Sequence, residues 1–289
     1  MANNIRSKQI IVIGAVVLLI GFLFTRDIKG LVKPNEQSKP AAAATEQMAT
    51  EGVEQINLEE VSTIGKNLVN ASIAAEVTAL ENAYKRSSEA EKAQNAKLLA
   101  QKWDDLEQPV PSALYLEIVA ENQETLGNWL NAGEKFLKAY DNSRDSVMQP
   151  ALLKKANTAY TKAMSLDSTN AAAKTGLGIT IVNGMGMPMQ GIAMLLDVVK
   201  KDPTNIKANM SLGTFAIKSG QFDKAITRFK DIIAIKPSPD AYFYLATAYE
   251  NLNRNEEAIE AYLQSKKLAG NPTLSSFIDK KVEELRPKN

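Results

Sequence analysis

The chain has 289 residues, with 34 Lys and Arg against 33 Asp and Glu and a net charge of +1. That balance excludes a general nucleic-acid binder or a polybasic membrane-surface protein. There is no His and no Cys, which removes disulfides, thiolate zinc sites, thiol nucleophiles, the Ser-His-Asp relay and imidazole metal ligands, and leaves only carboxylate, Lys, Tyr or Ser-Lys chemistry for an enzyme.

Residues 1–27 read as a membrane anchor. Ile10 to Phe24 is an unbroken run of 15 apolar or Gly residues between Arg6, Lys8 and Arg26, Lys29. The 17 residues between Lys8 and Arg26 span about 26 Å as a helix, near the short end of a bilayer core of about 30 Å, and the flanking cations snorkel. The alternative is a cleaved signal peptide. Phe22, Leu23, Phe24, Thr25 and Arg26 give no small-residue cleavage site next to the run, which favours an uncleaved helix contacting membrane through residues 9–25. The count of positive charges on the two sides is nearly tied. A short basic tail that stays inside would export residues 27–289, so the expected place is a bacterial inner membrane with the rest of the chain in the periplasm.

Residues 28–56 read as a tether with Pro34, Pro40, an Ala run and Gly52. Between Pro40 and Val61 there are five acids, Glu46, Glu51, Glu54, Glu59 and Glu60, and no base. A solvated spacer explains this better than an acidic recognition tail.

Residues 57–125 are expected to be helices that pack on the domain behind them. Leu58, Val61, Ile64, Leu68, Ile73, Val77, Leu80 and Tyr84 make one apolar stripe, read as a long first helix. Gly65, Asn67, Asn70 and Ser72 spoil its heptads, so packing is favoured over a coiled coil. Ser88-x-x-Glu91 then opens a second helix to about Leu106, ended by Pro109 and Pro111. Leu114, Leu116, Ile118 and Val119 belong to a third, before the first repeat, expected to pack on the second.

From residue 126 to 272 the chain repeats itself. Leu177-Gly178, Leu212-Gly213 and Leu245-Ala246 head three segments that end at Asp202-Pro203, Lys236-Pro237 and Gly270-Asn271-Pro272. The steps are 35 and 33 residues. Gly213, Ala225, Phe229 and Pro237 hold fixed places in one segment. Ala246, Tyr249, Ala258, Tyr262 and Gly270 hold them in the next, and Gly178, Gly191, Leu195 and Pro203 in the one before. A degenerate copy begins at Trp129, Ala132, Gly133 and Phe136. It resumes at Ala156, Tyr160, Ala163 and Ser168 after about ten extra residues around Tyr140 to Pro150, a displacement against the 34-residue period.

On these residues the sequence resembles the tetratricopeptide repeat family. The resemblance implies an all-α solenoid of antiparallel helix pairs, with about four repeats over 126–272. The apolar run at 10–24 puts a single transmembrane helix before it, and the apolar pattern of the last residues reads as a capping helix over 273–289. It also implies that the first helix of each pair lines a concave protein-binding groove. The positions carried over are Thr175, Ile179, Val182 and Asn183; Met210, Thr214, Ile217 and Lys218; and Phe243, Thr247, Glu250 and Asn251. Thr175, Ile179, Met210 and Thr214 stand where the family's carboxylate clamp would need cations and amides, so no clamp is expected. A mixed apolar and amide groove with little net charge suits an extended or helical protein segment better than a phosphate or an acidic tail.

Other candidates are weaker. Met185, Met187 and Met189 in Gly184-Met185-Gly186-Met187-Pro188-Met189 offer thioethers to Cu(I) or simply plug gaps at a turn, the reading preferred here. Asp104-Asp105 and Glu256-Glu257 are neighbours on a helix, about 100° apart, and read as solvated surface. Trp103 and Trp129 read as packing residues.

The expected function is a membrane-anchored scaffold that binds protein partners and assists assembly, folding or translocation of envelope proteins. No catalysis, cofactor, metal or nucleic acid is expected. The architecture is similar to bacterial single-pass repeat proteins of the Sec-translocon or cytochrome-maturation type. The alternatives are a cytoplasm-facing adaptor of a membrane complex and, in another class, a Cu(I) carrier or a non-catalytic enzyme subunit.

Overall fold

A computed structural model describes residues 56–286. The expected anchor at 10–24 lies outside the described residues, as does the expected tether except for Ile56. Within the described residues there are thirteen α-helices and no strand. No helix among them is long and apolar enough to cross a membrane.

The stripe that predicts one long first helix divides into two. α1 (Leu58–Asn67) and α2 (Ala71–Lys85) are separate elements. The Asn70 carboxamide accepts from the Ile73 N–H at 2.9 Å and starts a new helix. A short amide side chain inside an apolar stripe competes for the backbone and favours a cap over continuation. α1 sets Gly65 against the ring of Trp103, which is wholly buried on α3 (Glu89–Asp105). At the start of α3, the Glu91 carboxylate accepts from the Ser88 N–H at 3.2 Å and hydroxyl at 2.8 Å, and the hydroxyl bond holds its carboxyl below the usual range.

α3 and α4 (Pro109–Asn122) are joined by a left-handed residue, Glu107 (φ 56°), with the Gln108 N–H bonded back to Trp103 O at 2.9 Å. The same turn recurs downstream. Between α9 (Ile206–Lys218) and α10 (Phe222–Ile235) the left-handed residue is Gly220, and Gln221 N bonds to Ala216 O at 2.8 Å. Between α11 (Pro239–Asn251) and α12 (Asn255–Ala269) it is Asn253, and Arg254 N bonds to Tyr249 O at 3.0 Å. The backbone N–H bonded five residues back consumes an orphan helix carbonyl in each case. α3 and α4 therefore turn on each other as the repeats do, although their sequence lacks the repeat's small and large residues.

α5 (Leu126–Asn142) pairs with α6 (Met148–Leu166), and α7 (Ala171–Gly184) with α8 (Pro188–Lys201). The extra residues at 140–150 are absorbed by length. α5 has 17 residues and α6 has 19, against 14 for α7 and 13 for α9. Asp145 ends the excursion by accepting from Val147 N and Met148 N.

The connections between pairs are also periodic. Asp167 accepts from the Thr169 hydroxyl and N–H, and Asn170 caps α7 through Ala173 N at 3.0 Å. Asp202, Thr204 and Asn205 repeat this before α9, with Ala208 N at 2.9 Å. Ser238 caps α11 and Asn271 caps the last helix, α13 (Pro272–Leu285). These Asx turns fix the entry angle of each pair.

Packing follows the small-against-large rule. Phe229 is fully buried, and a Cβ added at Gly213 would meet its Cζ at 2.7 Å. Tyr160 fills the space between α5 and α7, with Gly133 on one side and Gly176 on the other; a Cβ at Gly176 would enter the ring. First helices also touch across pairs, α5 to α7, α7 to α9 and α9 to α11, whereas the second helices meet in no pairing of similar extent. Closer spacing on the first-helix side curves the stack and puts α5, α7, α9 and α11 on the inside.

Candidate functional site

The inner layer holds a groove of about 1270 Å³. Its floor and walls come from α3 (Lys97, Ala100, Gln101, Asp104), α4 (Ser112, Leu116), α5 (Asn131, Glu134, Lys135, Leu137, Lys138, Asp141, Asn142), α7 (Ile179, Val182, Asn183) and α9 (Ile206, Lys207, Met210, Ser211, Thr214, Phe215, Lys218). Helical spacing explains the grouping. Residues three and four apart on one helix share a face, so each inner helix contributes one stripe.

Six of the twelve sequence-derived groove residues meet here: Ile179, Val182, Asn183, Met210, Thr214 and Lys218. The other six stand elsewhere. Thr175 is buried, with no hydrogen-bond partner for its hydroxyl, and does not line the groove. Ile217 packs into the C-terminal core. Phe243 lies against Tyr244, Tyr262 and Phe277, at ring separations of 5.9, 5.5 and 6.0 Å. Glu250 accepts from the Tyr262 hydroxyl at 2.6 Å and from Lys281 Nζ at 2.8 Å, tying α11 to α12 and α13. Thr247 donates to Phe243 O and Asn251 donates to Thr247 O, both within α11. On α11, then, the equivalent positions serve the closing of the stack. Burial pushes the Tyr262 hydroxyl well up, reinforced by its bond to Glu250; Tyr262 is a neutral donor at any physiological pH.

The groove is more charged than the sequence suggests. Lys97, Lys135, Lys138, Lys207 and Lys218 face Asp104, Glu134 and Asp141. Lys135 donates to Asp104 at 2.6 Å, and Lys138 reaches the same oxygen at 3.5 Å. The Lys135 bond holds the Asp104 carboxyl below its usual range. Asp104 thus joins α3 to α5 and is more than solvated surface. Lys207 on α9 donates to Glu134 on α5 at 2.9 Å, passing over α7. Both side chains are open to solvent, 47% and 69% exposed, so the pair contributes about 0–1 kcal/mol. Asp141 sits in the last turn of the lengthened α5. Burial pushes its carboxyl up although its outer side is open, and Lys207 and Lys218 pull it back.

These acidic and basic residues carry a signal that sequence reading missed. Asp141 and Asn142 belong to the turn that α5 gains from its extra residues, read before only as a displacement. Lys97 and Asp104 belong to α3, which the resemblance leaves outside the repeats.

Elsewhere, Met185 packs inward against the core around Leu152 and Leu153, while Met187 and Met189 are exposed. The three thioethers are therefore divided between core and solvent. Glu257 pairs with Arg254 at 2.5 Å, which makes Glu256-Glu257 half of a surface ion pair. Trp103 and Trp129 are core residues.

Residues 188–272 match the family model of the tetratricopeptide repeat. This stretch is tetratricopeptide repeat. No curated protein is similar enough in sequence to match. Among solved structures, the chain is similar to YrrB, described as a tetratricopeptide repeat protein with an unusual peptide-binding site, at 17% identity and a TM-score of 0.42, over 70% of this chain and 98% of that one. It is also similar to MamA, at 20% identity and a TM-score of 0.44 over 63% and 97% of the two chains, and to residues 41 to the end of MamA from Desulfovibrio magneticus RS-1, at 16% identity and a TM-score of 0.46 over 63% and 97%.

Proposed function

We propose that this chain is a non-enzymatic scaffold whose tetratricopeptide repeats hold a segment of a partner protein in the groove between α3, α5, α7 and α9. The observation that carries the reading is the groove itself. It is large enough for several residues of chain, it has Ile179, Val182, Met210 and Phe215 as an apolar floor, and it presents amides and lysines that orient a bound backbone.

The apolar run at 10–24 supports placement at a bacterial inner membrane, with the tether holding the repeats away from the lipid and the repeats on the periplasmic side. A scaffold so placed serves assembly, folding or translocation of envelope proteins. A photo-crosslinking residue at position 210 tests the groove in native membranes. It captures a defined partner, while the same residue at position 196, on the outer layer, does not; equal capture from both positions rejects the groove. A reporter fused after Asn289, active only outside the inner membrane, tests the topology, and activity only inside reverses it.

A further inference from the structure

Resting on that reading of the groove, we propose that the segment it takes is acidic, with carboxylates set against Lys207 and Lys218 above apolar side chains, and that Glu134 is the groove's built-in competitor for those carboxylates. The lysines of the groove differ in how firmly they are engaged. Lys135 is 17% exposed and fastened to Asp104. Lys207 is 47% exposed, paired with Glu134, itself 69% exposed, and acts on Asp141 at longer range. Lys97 and Lys218 have no carboxylate within ion-pair distance among the described residues; Lys218 acts on Asp141 only at longer range. Five lysines against three carboxylates leave the groove short of negative charge.

The Glu134–Lys207 pair has a second distinguishing feature. It joins α5 to α9 over α7, where Thr175, Gly176 and Gly178 are buried. A chain lying along the floor at Ile179, Val182 and Met210 passes under or through this pair. A solvent-exposed pair is weak and salt-screened, so an incoming carboxylate exchanges for Glu134 at Lys207 without net loss of an ion pair. Glu134 then returns to water, where it is already mostly exposed. A basic segment can exchange at Glu134 in the same way, but it meets five lysines as like charges against three carboxylates, and Asp104 is already held by two of those lysines.

Random 12-residue peptides displayed on phage and selected on the full chain test this directly. Enrichment of Asp and Glu interleaved with apolar residues is the expected result. For a selected peptide, Lys207→Gln and Lys218→Gln each weaken binding by about tenfold, and Glu134→Gln tightens it by about threefold, with all three effects shrinking as salt rises. Neutral or basic selected peptides overturn the proposal. So does a Glu134→Gln variant that weakens binding, which would make the pair a structural clasp. Met210→Asp and, as a bulkier block, Thr214→Trp separate this from the groove reading. If they abolish binding of peptides that are not acidic, the groove stands and the charge assignment fails. If no peptide is enriched, or neither variant matters while both melt as wild type, both readings fail.

Discussion

α9 and α11 hold the same place in successive repeats, yet their inner faces do different work. On α9, Met210, Thr214 and Lys218 look into the groove. On α11, Phe243 and Glu250 are engaged by α12 and the closing helix α13, through Phe277, Tyr262 and Lys281. Template position is identical; what differs is the next element. α9 is followed by a full pair that leaves its inner stripe open, whereas α13 is a single helix whose side chains reach back to α11. A repeat family's binding positions are therefore conditional on their neighbours. Changes on α11 should act on stability, and changes on α9 on binding.

The largest effect should come from Tyr262→Ala. It empties a fully buried site between α11 and α13 and costs about 3–5 kcal/mol in urea denaturation, by analogy with other large buried aromatics. Groove binding should be retained in the fraction that folds. Glu250→Ala comes next. It leaves the Tyr262 hydroxyl and Lys281 without their acceptor and should lower stability by about 1–2 kcal/mol with affinity unchanged. A loss of affinity without a loss of stability would put α11 inside the site.

The comparison extends to the other end of the stack. α3 and α4 use the repeats' turn, but with Glu107 where α9 and α10 have Gly220. A left-handed non-glycine residue is strained, so Glu107→Gly should stabilise by about 1 kcal/mol, less the greater freedom Gly has when unfolded. No gain in melting temperature would mean that Glu107 has compensating contacts. The smallest effect concerns Asp104. Its carboxyl is held low by Lys135, so its contribution is fully present above the unfolded value near pH 4 and is lost as pH falls through the lower folded value. Asp104→Asn should therefore flatten the acid limb of a stability–pH curve slightly, and an unchanged limb would show the pair to be idle.

Much of the solenoid was legible in the sequence, because its packing rests on residue size. Gly213 with Phe229, and Gly178 with Gly191 and Leu195, stand in contact as their spacing predicts. The break at Asn70 was missed because apolar periodicity is blind to capping. The packing of α4 on α3 is expected from the sequence and is found; the repeat-like turn that joins them is not legible, because it is a backbone conformation that Glu107 does not advertise. Half of the groove was legible for the same reason as the repeats. The lysine and carboxylate wall was not, since Lys207 meets Glu134 from 73 positions away and Asp141 stands in a turn added outside the period. Such contacts depend on curvature, which only the assembled stack defines.

The central claim is that the inner layer between α3 and α9 binds the partner segment. Methyl NMR tests it most directly, because among the described residues Met210 is the one methionine that lines the groove. On titration with a selected peptide the account predicts that the Met210 ε-methyl shifts, while those of Met187 and Met189 on the exposed turn stay in place. Movement of Met187 and Met189 with Met210 unmoved would contradict it.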